Sequence, residues 1–366
     1  MVFKLVWENV RFRPVRTLLS ILLIALPVTL ILTLVGLSQG FVEGSEKRTE
    51  GVGADLLFRP KGTTLMSSFN GAPLSQKFVD QLATEPHVVA TTGVAYQLLS
   101  GAFDSVAGIN QASFVHLSGP FTFLQGHGLE KPDDILLDRY YADQRHVRAG
   151  GRIKVLGKDW NVVGVIEGGK LAHLFVQLQV LQDLIGSPGK VTQIYLKLDD
   201  PRNTDLVKKQ LSAKYEDYPI YSMKELESYY SVDNIPLLKY FTDAVLGIGV
   251  LIGFLVVLMS MYMAVLQRTR EIGILKSLGA SKGFVMGIIL AEAFLLGLGG
   301  TIAGVALSFL TRWIMDTLMP ASLPQAIVPD WWPIAGLIAV GGALLGSLYP
   351  GMLAVRQDPI EALAYE

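Results

Sequence analysis

Hydrophobic residues are unevenly spread along this chain. One uncharged block runs from Thr17 to Leu37, and three more follow Phe241: Val245–Leu266, Phe284–Leu310 and Trp332–Val355. Each is close to the roughly 20 apolar residues that an α-helix needs to cross the hydrocarbon of a bilayer. The stretch between the first and second blocks, Ser38–Tyr240, holds most of the charges and reads as ordinary globular sequence. The pattern predicts an α-helical membrane protein with four transmembrane helices, over 17–37, 241–266, 284–311 and 331–355. A large α+β domain, 38–240, is inserted after the first. That first block is too long for the apolar core of a signal peptide, and no A-x-A cleavage site follows it. Pro27 is expected to kink the span, which lipid-embedded helices tolerate.

Charge assigns the sides. Lys4, Arg11, Arg13 and Arg16 precede the first span with only Glu8 against them, and the loop 267–283 carries Arg268, Arg270, Lys276 and Lys282. Cytoplasmic flanks are rich in Lys and Arg, so the N-terminus and this loop are expected on the cytoplasmic side of the inner membrane. Alternation then puts 38–240 and an outer loop, 312–330, outside, and a tail, 356–366, inside. Trp313, Trp331 and Trp332 fall at the expected outer interface, where aromatic belts form. Segment 1–16 mixes Val2, Leu5, Val6, Val10 and Phe12 with basic residues. It reads as an amphipathic helix lying in the inner interface, with a plain basic flank as the alternative.

Within the inserted domain, Ala54–Arg59 reads as a strand and Leu74–Glu85 as a helix stopped by Pro86. Arg152–Leu156, a turn at Gly157-Lys158, and Trp160–Ile166 read as a hairpin. Leu174–Gln177 and Gln193–Leu198 are further strands, and Asp205–Tyr215 is an amphipathic helix. The domain is expected to have two lobes, with Ala90–Leu124 its least readable part. Ser38–Glu50 and Ser222–Tyr240 read as helical stalks joined to the spans, the second bent at Pro236.

Composition agrees with this partition: 51% of the chain is hydrophobic and 17% charged, against about a quarter charged in soluble domains. The net charge of −1 gives nucleic acid no general attraction, and the lack of cysteine excludes disulfides and thiol chemistry. The five histidines, His87, His116, His127, His146 and His173, show no metal-binding spacing. Neither a catalytic nor a metal site is expected. Gly164–Leu171 nearly matches a phosphate-binding loop, but Leu171 stands where a magnesium-binding hydroxyl is required. No ATPase site is therefore expected here.

Three G-x-x-x-G pairs lie within spans: Gly249/Gly253, Gly300/Gly304 and Gly342/Gly346. Small residues four apart let helices approach closely. Glu292 is the one carboxylate well inside a span, either a functional charge or a polar anchor for the bundle. The loop 267–283 reads as a short helix with Glu271, Ile274, Leu275 and Leu278 on one side. Gly279 ends it and Ser281 caps the next helix. A short amphipathic helix between two spans is suited to docking a partner, while lying on the lipid surface is the alternative.

The run Arg268-Thr-Arg-Glu-Ile-Gly-Ile-Leu-Lys-Ser-Leu-Gly-Ala-Ser281, followed by a glycine-rich span with Ala291-Glu292, closely resembles the FtsX-like permease family, including MacB-type and lipoprotein-release permeases. Tyr349-Pro350 and Asp358–Leu363 resemble that family's ending. Asn9–Leu19 resembles its approach to the first span. Gly53–Pro60 and the Gly150–Gly164 hairpin resemble the MacB-type periplasmic core domain. Ala364 departs from the family's ending, where arginine is frequent after the Ala-Leu. The resemblance implies an ABC transporter permease without a cofactor of its own, ATP and Mg being bound by a separate ABC ATPase subunit. It implies that Arg268, Arg270, Glu271, Ile274, Leu275, Leu278 and Gly279 couple to that ATPase. It also implies a homodimer, or a heterodimer with a paralogous permease, with or without a periplasmic adaptor protein. ATP-driven motion of the outer domain would export or extract lipid-linked or amphipathic cargo. The alternative is a transmembrane signal transmitter that activates an outer partner such as a cell-wall hydrolase.

Overall fold

An uncharged apolar run in lipid can satisfy its backbone only internally, which enforces helix. A computed structural model describes residues 14–63, 73–99, 104–229, 236–318 and 325–356. Among them, four helices are long and apolar enough to cross a membrane: Thr17–Glu50, Lys239–Gln267, Lys282–Met315 and Trp331–Arg356. The first belongs to an unbroken helix, Pro14–Glu50, that runs through Pro27. Pro236 is the first residue of the second, Pro236–Gln267. The segment 230–235 before it lies outside the described residues, so the bend expected at Pro236 falls at their edge. Most of the amphipathic segment expected over 1–16 lies outside the described residues, as do 319–324, 230–235 and the tail from 357.

Contacts divide the chain into a unit of spans and a unit built of Gly40–Ile235 with Asp316–Pro324. In the first unit, the first helix buries Ile24, Ala25, Val28, Ile31, Leu32 and Val35, while Leu18, Leu19, Leu22, Leu23, Leu26 and Leu30 stay exposed. Two apolar stripes on one helix are what a span needs when one side meets protein and the other meets lipid. Small residues set how close its neighbour comes. A Cβ on Gly300 would lie 2.4 Å from Ile24 Cγ2, and one on Gly304 2.6 Å from Val28 Cβ. The i, i+4 pair Ile24/Val28 thus sits over the i, i+4 pair Gly300/Gly304. Hydroxyls add bonds between helices: Ser20 to Ser260 at 2.7 Å, Thr33 to Thr311 at 2.9 Å, and Thr29 donating to the Gly304 carbonyl at 3.1 Å. On the fourth helix, a Cβ on Gly346 would lie 2.9 Å from the Phe254 carbonyl of the second. The other glycines of the three pairs behave differently. A Cβ on Gly249 or Gly253 would meet only ordinary contacts at 3.5 and 4.0 Å, and one on Gly342 would meet nothing within 4 Å. These three line a narrow void of about 20 Å³.

The second unit is a sheet with helices. Its strands are β1 (Leu56–Phe58), β2 (Leu74–Ser75), β3 (Val88–Leu98), β4 (Ser105–Ile109), β5 (Phe123–Gly126), β6 (Asp134–Asp138), β7 (Arg152–Val155), β8 (Lys158–Ile166), β9 (Leu174–Gln177), β10 (Lys190–Val191), β11 (Gln193–Leu198) and β12 (Ile220–Ser222). Ten form one sheet in the order β12-β1-β11-β3-β4-β9-β6-β8-β5, with β7 on β8, and β2 pairs β10 apart from it. The pairs β4–β9 and β6–β8 are parallel and the rest antiparallel. The two lobes expected from sequence therefore share one sheet, joined where β4 meets β9. Both faces are buried. Leu56, Phe58, Ile135, Leu137, Leu174, Val176, Ile194 and Leu196 enter one core, while Leu57, Leu136, Phe175 and Tyr195 enter the other. Burial on both faces explains why these strands read as continuous apolar runs.

Several local expectations shift. The helix expected over Leu74–Glu85 is Lys77–Ala83, because Leu74 and Ser75 are drawn into pairing with Val191 and Lys190. The β7–β8 turn is Leu156-Gly157, both at positive φ (52° and 77°), one residue earlier than expected. Ala90–Leu124 supplies the sheet's central strands. Their strand signal is muted because helices cross them closely: a Cβ on Gly93 would lie 2.8 Å from Val79, and one on Gly108 2.9 Å from Leu181.

Within the second unit, residues 40–50 of the first helix meet this sheet through a polar chain whose His173 and Asp138 are buried. Arg48 donates to His173 Nε2 at 3.4 Å, and His173 Nδ1 stands 2.5 Å from Asp138 Oδ2. A guanidinium can only donate, so Nε2 must accept and Nδ1 carries the proton. Asp138 Oδ1 also caps the helix Arg139–Arg145 by accepting from the Tyr141 N–H.

Two outcomes are expected. Gly304→Ala destabilises the span unit by about 1–3 kcal/mol through overpacking, whereas Gly342→Ala stays within about 0.5 kcal/mol. Thermal unfolding in detergent measures both. His173→Leu leaves the Asp138 carboxylate buried without its partner and costs about 3 kcal/mol. It is read as faster amide hydrogen exchange over Arg139–Arg145 in the full chain.

Candidate functional site

The segment between the second and third spans is built around a sharp change of direction. The second helix ends at Gln267, Arg268 takes a non-helical conformation (φ −116°, ψ 18°), and a new helix runs Thr269–Ser277. A kink frees carbonyls of the preceding turn, and the Thr269 hydroxyl takes them up, donating to Leu266 O at 2.9 Å and Val265 O at 3.3 Å. At the far end, Gly279 adopts φ +92°, a conformation that a side chain disfavours. The Ser281 hydroxyl accepts from the Phe284 N–H at 3.2 Å and caps the third helix, Lys282–Leu318.

This short helix has an inner and an outer side. Thr269, Ile272 and Gly273 are buried at i, i+3 and i+4. Arg270, Glu271, Ile274 and Leu278 are exposed and Leu275 is half-buried. Leu278 is the extreme case, with 80% of its surface open, and Ile274 has 44% open. Glu271, Ile274 and Leu275 also border a cleft of about 320 Å³ whose other wall is Val285, Ile288 and Ile289.

Glu292 stands ten residues into the third helix, about 15 Å along its axis. Its Oε2 accepts from Arg268 Nη1 at 3.0 Å, with both side chains nearly closed off, at 9% and 12% exposure. The guanidinium of Arg268, one of the residues that the resemblance assigns to ATPase coupling, is thus engaged with the third span. A second tie holds the other end of the short helix, where Lys276 Nζ donates to Val355 O of the fourth helix at 2.9 Å. Neither tie is visible as a spacing. The available signal was chemical, since a carboxylate inside a span needs a cation and Arg268 is the first one beyond the second span.

The near phosphate-loop motif is a brace: Lys170 Nζ donates to the carbonyls of Ser118, Gly119 and Pro120, each at 2.9 Å, with the Phe121 ring beneath it. Burial lowers the pKa of this ammonium. Among the described residues, no cluster of three or more His, Asp or Glu side chains is placed to hold a metal ion.

Two family models match the chain. The MacB-like periplasmic core domain matches residues 17–214, and the FtsX-like permease C-terminal region matches residues 244–359. An ABC transporter permease of Bacillus subtilis, YknZ, is 23% identical over 98% of this chain and 99% of its own length. The macrolide export ATP-binding/permease protein MacB of Escherichia coli is 23% identical over 96% of this chain. An ABC transporter permease of Methanocaldococcus jannaschii is 26% identical over 61% of it. The chain spans 58% of that MacB and 59% of the archaeal protein. Four apolar helices, a doubly buried α+β sheet domain and both matched regions together place this chain in the FtsX-like, MacB-type family of ABC transporter permeases.

Proposed function

We propose that this chain is the permease subunit of an inner-membrane ABC transporter whose separate ATPase subunit, carrying ATP and Mg, docks on the helix Thr269–Ser277. One observation carries the reading: the loop helix is tied at both ends to neighbouring spans, yet holds Ile274 and Leu278 out to solvent. Burying a large aliphatic side chain contributes roughly 1.5–3 kcal/mol. A rigidly held helix with an uncovered apolar edge thus has a docking surface prepared for a protein groove. Arg270 and Glu271, exposed beside it, supply charges that orient the partner.

In this reading both termini are cytoplasmic, as the basic flanks require, and the domain 38–240 lies outside. Four spans are few for an enclosed path, which favours a homodimer or heterodimer. The exposed leucine stripe of the first helix gives a second permease, or lipid, an apolar surface to meet. ATP-driven closure of the ATPase pair pushes the loop helices, and the outer domain moves to expel or extract lipid-linked or amphipathic cargo, with or without a periplasmic adaptor. The unbroken helix Pro14–Glu50, fixed to the domain's sheet through Arg48, His173 and Asp138, suits such transmission.

Two measurements test this. Ile274→Asp with Leu278→Asp leaves membrane insertion intact and weakens binding of the ATPase at least about 100-fold, the equivalent of about 3 kcal/mol of lost burial. Wild-type affinity in that variant places the dock elsewhere. The chain has no cysteine, so single cysteines report topology. Gln210→Cys reacts with an impermeant thiol reagent in cells with a permeabilised outer membrane, and Ser277→Cys reacts only after lysis. Labelling of Ser277→Cys from outside reverses the orientation.

A further inference from the structure

The ion pair between Arg268 and Glu292 does more than neutralise a carboxylate. Arg268 is the hinge residue itself, the one position between the second span and the loop helix that leaves helical geometry. Its backbone stays engaged on both sides: the N–H donates to Val265 O at 3.1 Å and the carbonyl accepts from Ile272 N–H at 2.9 Å. Its side chain reaches across 24 residues of sequence to the third span. Packing fixes the loop helix against that span on one side only: Ile272 is buried in one core with Val285 and Ile289, while a cleft of about 320 Å³ lies beside Ile274 and Leu275. At that point the Arg268–Glu292 contact bridges the gap. In a site so closed to water, attraction between unlike charges is strong, and each charge is costly without the other.

We propose that the Arg268–Glu292 pair locks the hinge of the loop helix to the third span, so that a push on that helix is delivered to the bundle. Arg268 and Glu292 are positioning residues, and Arg268 makes no contact with the ATPase. The Lys276–Val355 tie holds the opposite end against the fourth span, so force entering the loop helix is shared between two spans. This deepens the docking reading and rests on it for its coupling readout, but the hinge itself can be measured without any partner.

The test compares Glu292→Gln, Arg268→Met and the double variant. Each single variant orphans one buried charge and loses stability. The double variant orphans none and should insert and unfold like the wild type, because neutral replacement of a buried pair is tolerated. A spin label on Arg270→Cys, introduced in each background without the ATPase, reads the hinge. It should be immobile with the pair intact and distinctly more mobile in the double variant. In the unlabelled chains, the ATPase that co-purifies with the wild type should bind the double variant with a Kd within about threefold of the wild-type value. Stimulation of ATP hydrolysis at saturating permease should nevertheless fall at least tenfold in kcat, with the KM for ATP unchanged. A double variant with wild-type label mobility and wild-type stimulation would overturn the proposal, leaving the pair as charge neutralisation only. Loss of ATPase affinity in Arg268→Met but not in Glu292→Gln would also overturn it, by making Arg268 a direct contact. If the docking reading fails instead, the Ile274→Asp/Leu278→Asp chain keeps its ATPase, and the label still reports on the hinge.

Discussion

A carboxylate buried among apolar helices must find a cation or lose its charge, and Glu292 finds Arg268. Much of this end of the bundle is arranged around that requirement. For Arg268 to reach a residue about three turns inside the third helix, the second helix must end where it does. The chain must then turn at Arg268, with Thr269 taking up the carbonyls the turn releases. The helix that follows is thereby set against the bundle with Ile272 inward, and Ile274 and Leu278 are left outward. The exposed apolar edge of this helix is thus a by-product of where one charge is paired.

The spans are held by contacts of a different kind. Lipid tails are as apolar as leucine, so a helix gains little from apolarity alone when it leaves lipid for protein, and close approach and hydroxyl bonds decide the packing. The first helix shows both, with Ile24 and Val28 over Gly300 and Gly304, and Ser20, Thr29 and Thr33 bonded to neighbouring helices. Residues 40–50 of the same helix, in the second unit, meet the sheet in a third way, through a polar chain from the half-buried Arg48 to the buried His173 and Asp138.

The inserted domain is economical in its use of sequence. The inner strands of a sheet covered on both faces bury most of their positions, and helices approach them most closely where side chains are small. Gly93 and Gly108 mark those crossings. Lys170, tied to three carbonyls over an aromatic ring, then braces the segment after β8.

The sequence by itself determined the membrane-spanning blocks, because apolar runs of that length fit the hydrocarbon of a bilayer. It also determined the inserted domain, the hairpin at 152–166, the strands at Leu174 and Gln193, the stop of the loop helix before Gly279 and the cap of the third helix at Ser281, all of which rest on local chemistry. Family resemblance was legible where a motif is contiguous, in the loop and the following span. Only the tertiary structure decided which glycines are contacts: spacing four apart gives a shared helix face, but whether a neighbour covers that face depends on the other helices, and Gly342 is left open. It alone placed Arg268 on Glu292 and Lys276 on Val355, since both ties join residues distant in the chain. It alone showed that Ala90–Leu124 builds the middle of one continuous sheet. Interactions within a turn of helix or a hairpin are written in neighbouring residues, whereas a buried charge and its partner are brought together only by the packing of everything between them.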